Sequence, residues 1–254
     1  MVCFVLENRG HVFIYHWIIL MLGGLRHIPD ISGAQIFCDA EFPTINGRNY
    51  HLESLQLISD KYVFMKPSDN CITCLPGEPL IQPDHVHPDT YAFLRTLFLT
   101  RVSGISPIGC SKIYLTRKNC GVLNPANKGV SIRTVLNEEE LYPILRENGF
   151  MILQFEEFTF EEKVNLFKTA TVVISPNSGG LTFSLFADKE KTHIVEILPP
   201  VLEHDHYKNI CTSLGVKYTR FSGLSTVGES PGLGRVWNMI VNVSDFASLL
   251  TTLV

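Results

Sequence analysis

The chain has 254 residues, of which 45% are hydrophobic, and a formal net charge of −4. This length and composition predict a soluble globular protein with a sizeable core, built as one large or two small domains. No block of lysine and arginine occurs in the sequence, which argues against nucleic acid as the main partner. The seven cysteines are scattered, and only Cys71 and Cys74 have CxxC spacing, so we expect ordinary free thiols rather than a zinc site.

The first apolar segment runs from Val12 to Leu25 and is interrupted by His16. It is too short to span a bilayer with ease, and it lacks the basic start and cleavage site of a signal peptide. We therefore expect a buried helix, no transmembrane segment and a cytoplasmic location. A histidine in such a helix is either a hydrogen-bonded core residue or a functional one.

Strand and helix patterns alternate in the first half, which predicts an α/β protein. The predicted elements are a strand over 34–38, a helix over 50–58, a strand over 62–65 and a helix from Pro88 through Phe98. The Gly- and Pro-containing stretch from Val102 to Ser111 is the best linker candidate. It divides the chain into an N-terminal lobe of residues 1–109 and a C-terminal lobe of residues 110–254.

The second half repeats the alternation, with predicted strands near residues 113, 152, 172 and 194. Helices between them predict a parallel sheet. Two helices carry N-terminal capping signals, Asn137 with Glu140 and Thr159 with Glu162. The later predicted elements are a helix over 205–214, a strand over 217–221, a loop over 222–235 and a closing helix over 243–253.

The stretch from Val172 to Gly180 is the most informative part of the sequence. An unbroken apolar run is typical of a strand buried on both faces, and Pro176, Asn177, Gly179 and Gly180 follow it directly. A glycine loop that opens a helix directs backbone N–H groups and the positive end of the helix dipole at one spot, which suits a diphosphate. A tight turn that merely joins strand and helix is the alternative.

Other charged residues fall at the same predicted edge of the sheet. Arg117 and Lys118 follow the strand near 113, and Glu196 lies near the end of the strand near 194. Because ligands of parallel sheets bind at the carboxyl ends of the strands, these residues and the glycine loop form a plausible diphosphate site. A surface salt bridge is the alternative role for Arg117.

Several motifs occur in a fixed order along the chain. They are Tyr15-His16-Trp17, Ile113 to Lys118, Arg133 with Leu136-Asn137-Glu138, Asn148-Gly149-Phe150, Phe160 to Lys163, the glycine loop and Val195-Glu196-Ile197. In this order they resemble glycosyltransferase family 61, the DUF563 domain, and the resemblance covers nearly the whole chain. This family includes protein O-linked N-acetylglucosaminyltransferases of the endoplasmic reticulum and plant xylan xylosyltransferases.

The resemblance implies a GT-B architecture, an α/β fold in which two Rossmann-like lobes with parallel sheets enclose a cleft. It implies an inverting transferase that needs no metal and moves a sugar, xylose or N-acetylglucosamine, from a UDP-sugar to a hydroxyl of a glycan or glycoprotein. The absence of an Asp-x-Asp sequence agrees with the expectation of no metal or other cofactor. The donor-binding residues implied are Arg117, Lys118, Arg133, Asn137, Pro176, Asn177, Ser178, Gly179, Gly180, Leu181 and Glu196, although Asn137 is equally explained as a helix cap.

Inversion needs a base that takes the proton of the acceptor hydroxyl, and His16 is the first candidate. Weaker candidates for the base are Asp39, Glu41, Asp84 and His85.

Two positions depart from the family pattern. The family usually has His-Gly-Ala-Gly where this chain has Asn177-Ser178-Gly179-Gly180, and Gln where it has Lys163. Because an asparagine cannot titrate, a degenerate protein that binds a nucleotide sugar without turnover is the alternative function. A third possibility, an NAD-dependent oxidoreductase or epimerase, would need a Gly-x-Gly-x-x-Gly after its first strand, and this sequence lacks one.

Overall fold

The computed structural model describes most of the chain. The described residues are 3–6, 13–28, 31, 35–38, 44–59, 62–64, 73–74, 86–104, 106–120, 129–199, 202, 204–226, 229–230, 234–235 and 237–253. Among them, we find no helix that combines the length and the apolar character needed to cross a bilayer.

The N-terminal part contains a four-stranded parallel sheet. Its strands are β1 (Cys3–Leu6), β2 (Gln35–Cys38), β3 (Tyr62–Phe64) and β4 (Thr73–Cys74), in the order β3-β2-β1-β4. The predicted strands over 34–38 and 62–65 are confirmed to within one residue. Neither β1 nor β4 was predicted.

The apolar segment after β1 is helical, but its geometry is not that of an α-helix. It forms a π-helical turn over His16–Met21 and then a 3₁₀ helix over Leu22–His27. Every side chain from Trp17 to Leu22 is buried, so the segment is enclosed on all sides rather than along one face. Two α-helices follow, α1 (Tyr50–Ile58) and α2 (Pro88–Leu99), where the sequence predicts them.

The C-terminal part contains a five-stranded sheet, in which every neighbouring pair is parallel as predicted. Its strands are β5 (Lys112–Thr116), β6 (Met151–Gln154), β7 (Val172–Pro176), β8 (His193–Leu198) and β9 (Lys217–Ser222), in the order β6-β5-β7-β8-β9. The chain leaves β5 toward β6 on one side and continues to β7 on the other. This reversal opens a crevice at the carboxyl ends of β5 and β7, where doubly wound sheets bind ligands.

Helices cover both faces of this sheet. They are α3 (Glu138–Glu147), α4 (Phe160–Thr169), a 3₁₀ helix over Gly179–Phe186, α5 (His206–Leu214) and α6 (Val243–Thr251). One face, with Ile113 and Val173, packs in a core that also holds Trp17 and Phe98 from the N-terminal part. Segments on both sides of residue 109 therefore share one core, and the division into lobes at this point stays a prediction, as does the GT-B arrangement.

Of the two predicted capping boxes, only one forms. Thr159 and Glu162 form the predicted capping box at α4, but the box predicted at Asn137 is wrong. The Asn137 side chain instead donates to the carbonyl oxygen of Val241 and accepts from its backbone N–H, both at 2.9 Å. The pairing with a distant segment competes successfully with the local cap.

The loop predicted over 222–235 is wrong in part, because it contains three short strands. These are β10 (Leu224–Thr226), β11 (Glu229–Ser230) and β12 (Gly234–Arg235), and β13 (Asn238–Ile240) follows. β10 pairs antiparallel with β13, and β11 pairs antiparallel with β12.

Candidate functional site

A cavity of about 310 Å³ lies at the carboxyl edge of the five-stranded sheet. The segments that follow successive strands form its floor, and residues of the N-terminal part cover it. The floor includes Phe155 and Glu156 after β6, Thr116 at the end of β5 with Arg117 after it, Ser178, Gly179 and Gly180 after β7, and His204, His206 and Tyr207 after β8. Arg133 and Lys163 complete the floor. The covering residues are Phe13, Ile14, Tyr15, His16, Ile45, Arg48 and Tyr50.

The two glycines of the loop after β7 allow close packing on both sides. A Cβ atom on Gly179 would lie 2.5 Å from Cγ2 of Ile14, and one on Gly180 would lie 3.0 Å from Cδ1 of Phe155. The glycines therefore let the N-terminal segment and an aromatic ring approach the loop backbone. The 3₁₀ helix begins at Gly179, so its first N–H groups have no partner within the helix.

Arg117 and Arg133 bring two guanidinium groups into the cavity wall. Arg117 is 9% exposed, and its Nε donates to the carbonyl oxygen of Ile132 at 3.1 Å. Burial, together with the neighbouring charge of Arg117, lowers the pKa of Arg133 to about 10. Two like charges held together in a buried site favour a bound anion.

The backbone presents Arg133 in a strained conformation. Its φ angle is 53°, in the left-handed region that costs a non-glycine residue about 1–2 kcal/mol. The next residue fixes the loop, because the N–H and hydroxyl groups of Thr134 donate to Oδ1 of Asn238 at 3.1 and 3.0 Å. The Met239 N–H then donates to the carbonyl oxygen of Thr134 at 2.9 Å. The sequence did not predict this support, because both partners lie in the short strand β13.

Asn177 and Glu196 lie beneath the cavity and hold Arg133 from below. Arg133 donates to Oδ1 of Asn177 at 2.7 Å, and Nδ2 of Asn177 donates to the Glu196 carboxylate. The hydroxyl of Tyr218 donates to the other carboxylate oxygen. Burial raises the pKa of Glu196 above its usual value, although these two hydrogen bonds oppose the rise.

The structure thus groups the predicted site residues in three ways. His16, Arg117, Arg133, Ser178, Gly179 and Gly180 line the cavity, while Asn177 and Glu196 support it. Pro176 and Leu181 are buried in β7 and the core.

Two predicted residues point elsewhere. Lys118 is exposed and pairs with Glu139, and Asn137 binds Val241. The weaker candidates for the base, Asp39, Glu41, Asp84 and His85, lie outside the described residues. Across the described ranges, no group of three histidine, cysteine, aspartate or glutamate side chains could hold a metal ion.

A stack of rings at the β8 end of the cavity was not predicted. Tyr15 stacks on His206 with centroids 4.7 Å apart, and His206 stacks on His204 at 4.5 Å. The position of the two histidines after β8, at the edge where ligands bind, is the signal that could have found them. Their stacking on Tyr15 could not be inferred from spacing.

The β6 end of the cavity carries positively charged side chains. Lys163 of α4 is 6% exposed, and its Nζ lies 5.3 Å from the centroid of the Phe155 ring. Burial lowers the pKa of Lys163 to about 8. Arg48 lines the cavity beside it and was also missed.

A comparison with protein families identifies the family of the chain. Residues 14–195 match the family model described as Glycosyltransferase 61. The chain is similar to the structure of the dodecameric iron-containing heptosyltransferase TibC in complex with ADP-D-β-D-heptose, with a TM-score of 0.41 and 12% identity. That similarity covers 92% of this chain and 64% of the other. None of the curated proteins matches the sequence.

Proposed function

The chain belongs to glycosyltransferase family 61, and on that premise we propose that it transfers a sugar from a nucleotide diphosphate sugar to a hydroxyl of a glycan or glycoprotein. The observation that carries the proposal is the meeting of Arg117, Arg133 and the glycine loop at one point of the sheet edge. These groups are the donors that a departing diphosphate needs.

The charges support a metal-independent reaction. When the bond to the anomeric carbon breaks, negative charge develops on the diphosphate, and preorganised donors in a site shielded from water stabilise it. Arg117 and Arg133 provide two cations, and the loop after β7 provides backbone N–H groups. Arg133 is fixed by Asn177 at 2.7 Å, so little reorganisation is needed as the charge develops.

The proposed chemistry is inversion with His16 as the base. His16 lines the same cavity as the two arginines. An imidazole there can accept the proton of the acceptor hydroxyl as its oxygen attacks the anomeric carbon opposite the leaving diphosphate. UDP-xylose and UDP-N-acetylglucosamine are the donors that the family resemblance favours, and a GT-B cleft between two lobes is the arrangement it implies.

Calorimetric titration with UDP in the presence of EDTA tests the anion site. Arg117→Met and Arg133→Met should each weaken UDP binding ~10- to 100-fold, the loss expected when a hydrogen bond to a charged group is removed. Arg146→Met, on the exposed side of α3, is the matched control and should bind UDP like the wild type. Unchanged affinity in both cavity variants would refute the site.

A transfer assay with a panel of UDP-sugars separates the active enzyme from the degenerate alternative. We expect turnover in the wild type, and a loss of roughly 100-fold or more in His16→Ala with UDP affinity nearly intact. Donor binding with neither transfer nor hydrolysis in the wild type would favour the degenerate protein, and an unchanged rate in His16→Ala would exclude this histidine as the base.

A further inference from the structure

We propose that Lys163 and Arg48 form a carboxylate-binding subsite at the β6 end of the cavity, and that a sugar bound there is a uronic acid. The inference rests on the proposed function and specifies its substrate class. The carboxylate could belong to the transferred sugar or to the acceptor, and the experiment below distinguishes the two.

The first observation is a buried ammonium group that has no ionic partner among the described residues. Lys163 is 6% exposed and lines the cavity. Among the residues that the structure describes, no carboxylate oxygen lies within 4.0 Å of its Nζ, and this atom lies over the Phe155 ring at 5.3 Å from the ring centroid. Buried charges in proteins are normally paired, so this one leaves a position for an anion.

The acidic residues around Lys163 are engaged elsewhere. Glu53 accepts from the backbone N–H of Phe160 at 2.6 Å, and Glu162 caps α4. Glu156 accepts from Nε2 of Gln154 at 2.7 Å. Burial and the charge of Arg48 disfavour the ammonium form of Lys163. They outweigh the carboxylate charges, which favour it, and lower the pKa of Lys163 to about 8.

The topology places this subsite where the sugar would lie. Phe155 and Glu156 follow β6, which is next to β5 and its Arg117. Neighbouring strands are about 5 Å apart, so the subsite lies one strand from the diphosphate donors. On the far side, after β8, the stacked rings of Tyr15 and His206 suit a planar base. A nucleotide sugar laid along this edge would put its base at the ring stack and its sugar near Lys163.

The chemistry of the pair selects a carboxylate. Sugar hydroxyls can be bound by neutral donors, whereas Lys163 and Arg48 provide two cations. A guanidinium matches the two oxygens of a carboxylate, and an ammonium adds a point charge. Glucuronate and galacturonate carry that carboxylate at the carbon where glucose and galactose carry an alcohol.

Calorimetry with matched pairs of ligands tests the subsite. In the donor arm, UDP-glucuronate is compared with UDP-glucose; in the acceptor arm, methyl β-glucuronide is compared with methyl β-glucoside in the presence of UDP. The uronate should bind at least ~10-fold more tightly than its neutral partner in one arm, as expected for a hydrogen bond between charged groups.

Two substitutions of Lys163 test whether this residue causes the preference for the uronate. Lys163→Met, and Lys163→Gln as a second variant, should abolish the preference for the uronate while the affinity for UDP alone stays at the wild-type value. Lys168→Met, an exposed position on the same helix, should retain the preference.

The possible failures are distinguishable. Tight binding of UDP with equal affinity for uronate and neutral ligand in both arms would overturn the subsite and leave the proposed function standing. A protein that does not bind UDP would overturn both. A uronate preference that persists in both Lys163 variants would assign it to other residues and contradict the inference.

Discussion

Replacing Lys163 by methionine should stabilise the protein, because it removes a buried charge without an ion pair in the described structure. Burial lowers the pKa of Lys163 from 10.5 to about 8, although the charges of Glu53 and Glu156 act in the opposite direction. The gap between these two values corresponds to about 3 kcal/mol, at about 1.4 kcal/mol for each pH unit. Lys163→Met should therefore raise the free energy of unfolding by about 3 kcal/mol at pH 7.

The stability that Lys163→Met gains over the wild type should decrease as the pH rises. The unfolded chain keeps the lysine proton up to about pH 10.5, whereas the folded protein loses it near pH 8. Between these values the unfolded state binds more protons, so the wild type becomes more stable as the pH rises. The advantage of Lys163→Met should consequently shrink to about 1 kcal/mol at pH 10.

Urea unfolding at pH 7 and pH 10, followed by circular dichroism, measures both values. Lys168→Met, at an exposed position of the same helix, is the control and should change stability by no more than about 0.5 kcal/mol at either pH. A Lys163→Met protein that is less stable than the wild type at pH 7, or that shows the same difference at both pH values, would refute the reasoning.

Three further substitutions test the support of the cavity. Gly179→Ala would place a Cβ atom 2.5 Å from Ile14, so we expect a loss of about 1–3 kcal/mol in urea unfolding, and an unchanged stability would contradict the packing. Asn238→Ala removes the acceptor of two hydrogen bonds that fix the strained arginine loop; it should weaken UDP binding several-fold in calorimetry, and wild-type affinity would show that the loop holds its shape without it. Glu196→Gln places an amide NH₂ group against a donor, which should cost about 1–3 kcal/mol; a double-mutant cycle with Tyr218→Phe should recover part of the loss, whereas strict additivity would argue against the contact.

Four strands of the five-stranded sheet, β5 to β8, could be predicted because each contains a short apolar run between turn or helix signals. Val172 to Pro176 is buried throughout, and an unbroken run of this kind is what a central parallel strand requires. Most of the strands that escaped prediction are very short, since β4, β11 and β12 have two residues each and β10 and β13 have three, although the four-residue β1 also escaped. Segments of that length have no periodicity to detect.

The cap at Asn137 shows how tertiary contacts override local signals. Its sequence context fits a capping box, but its side chain makes two hydrogen bonds with Val241, which is 104 residues away. No local pattern contains that partner. By contrast, the box at Thr159 has no such competitor in the described structure and forms as predicted.

The site could be predicted only where it follows strand ends. Arg117 and Gly179 were found because the carboxyl ends of parallel strands converge on one edge. Arg48 lies in a turn before α1, where it forms a β-bridge with Ile45, whereas Lys163 lies on α4, 115 positions later in the chain. The sequence holds no pattern that joins them. Their meeting depends on how the N-terminal part packs on α4, which element prediction does not provide.

A buried charge outside the cavity differs from the charges on the cavity wall in its hydrogen bonds. Glu138 is also a buried carboxylate, yet Tyr114, Thr116 and Tyr142 all donate to it, at 2.8, 2.6 and 2.9 Å. It is satisfied within the chain, as a structural charge should be.

Two cations on the cavity wall contrast with Glu138. Arg133 combines a left-handed backbone with a lowered pKa, and Lys163 has a lowered pKa and no ionic partner among the described residues. Each of these features costs folding free energy, and both occur on the wall of a single cavity. Because strain and shifted pKa values concentrate at functional sites, Arg133 and Lys163 point to an anionic substrate bound in this cavity.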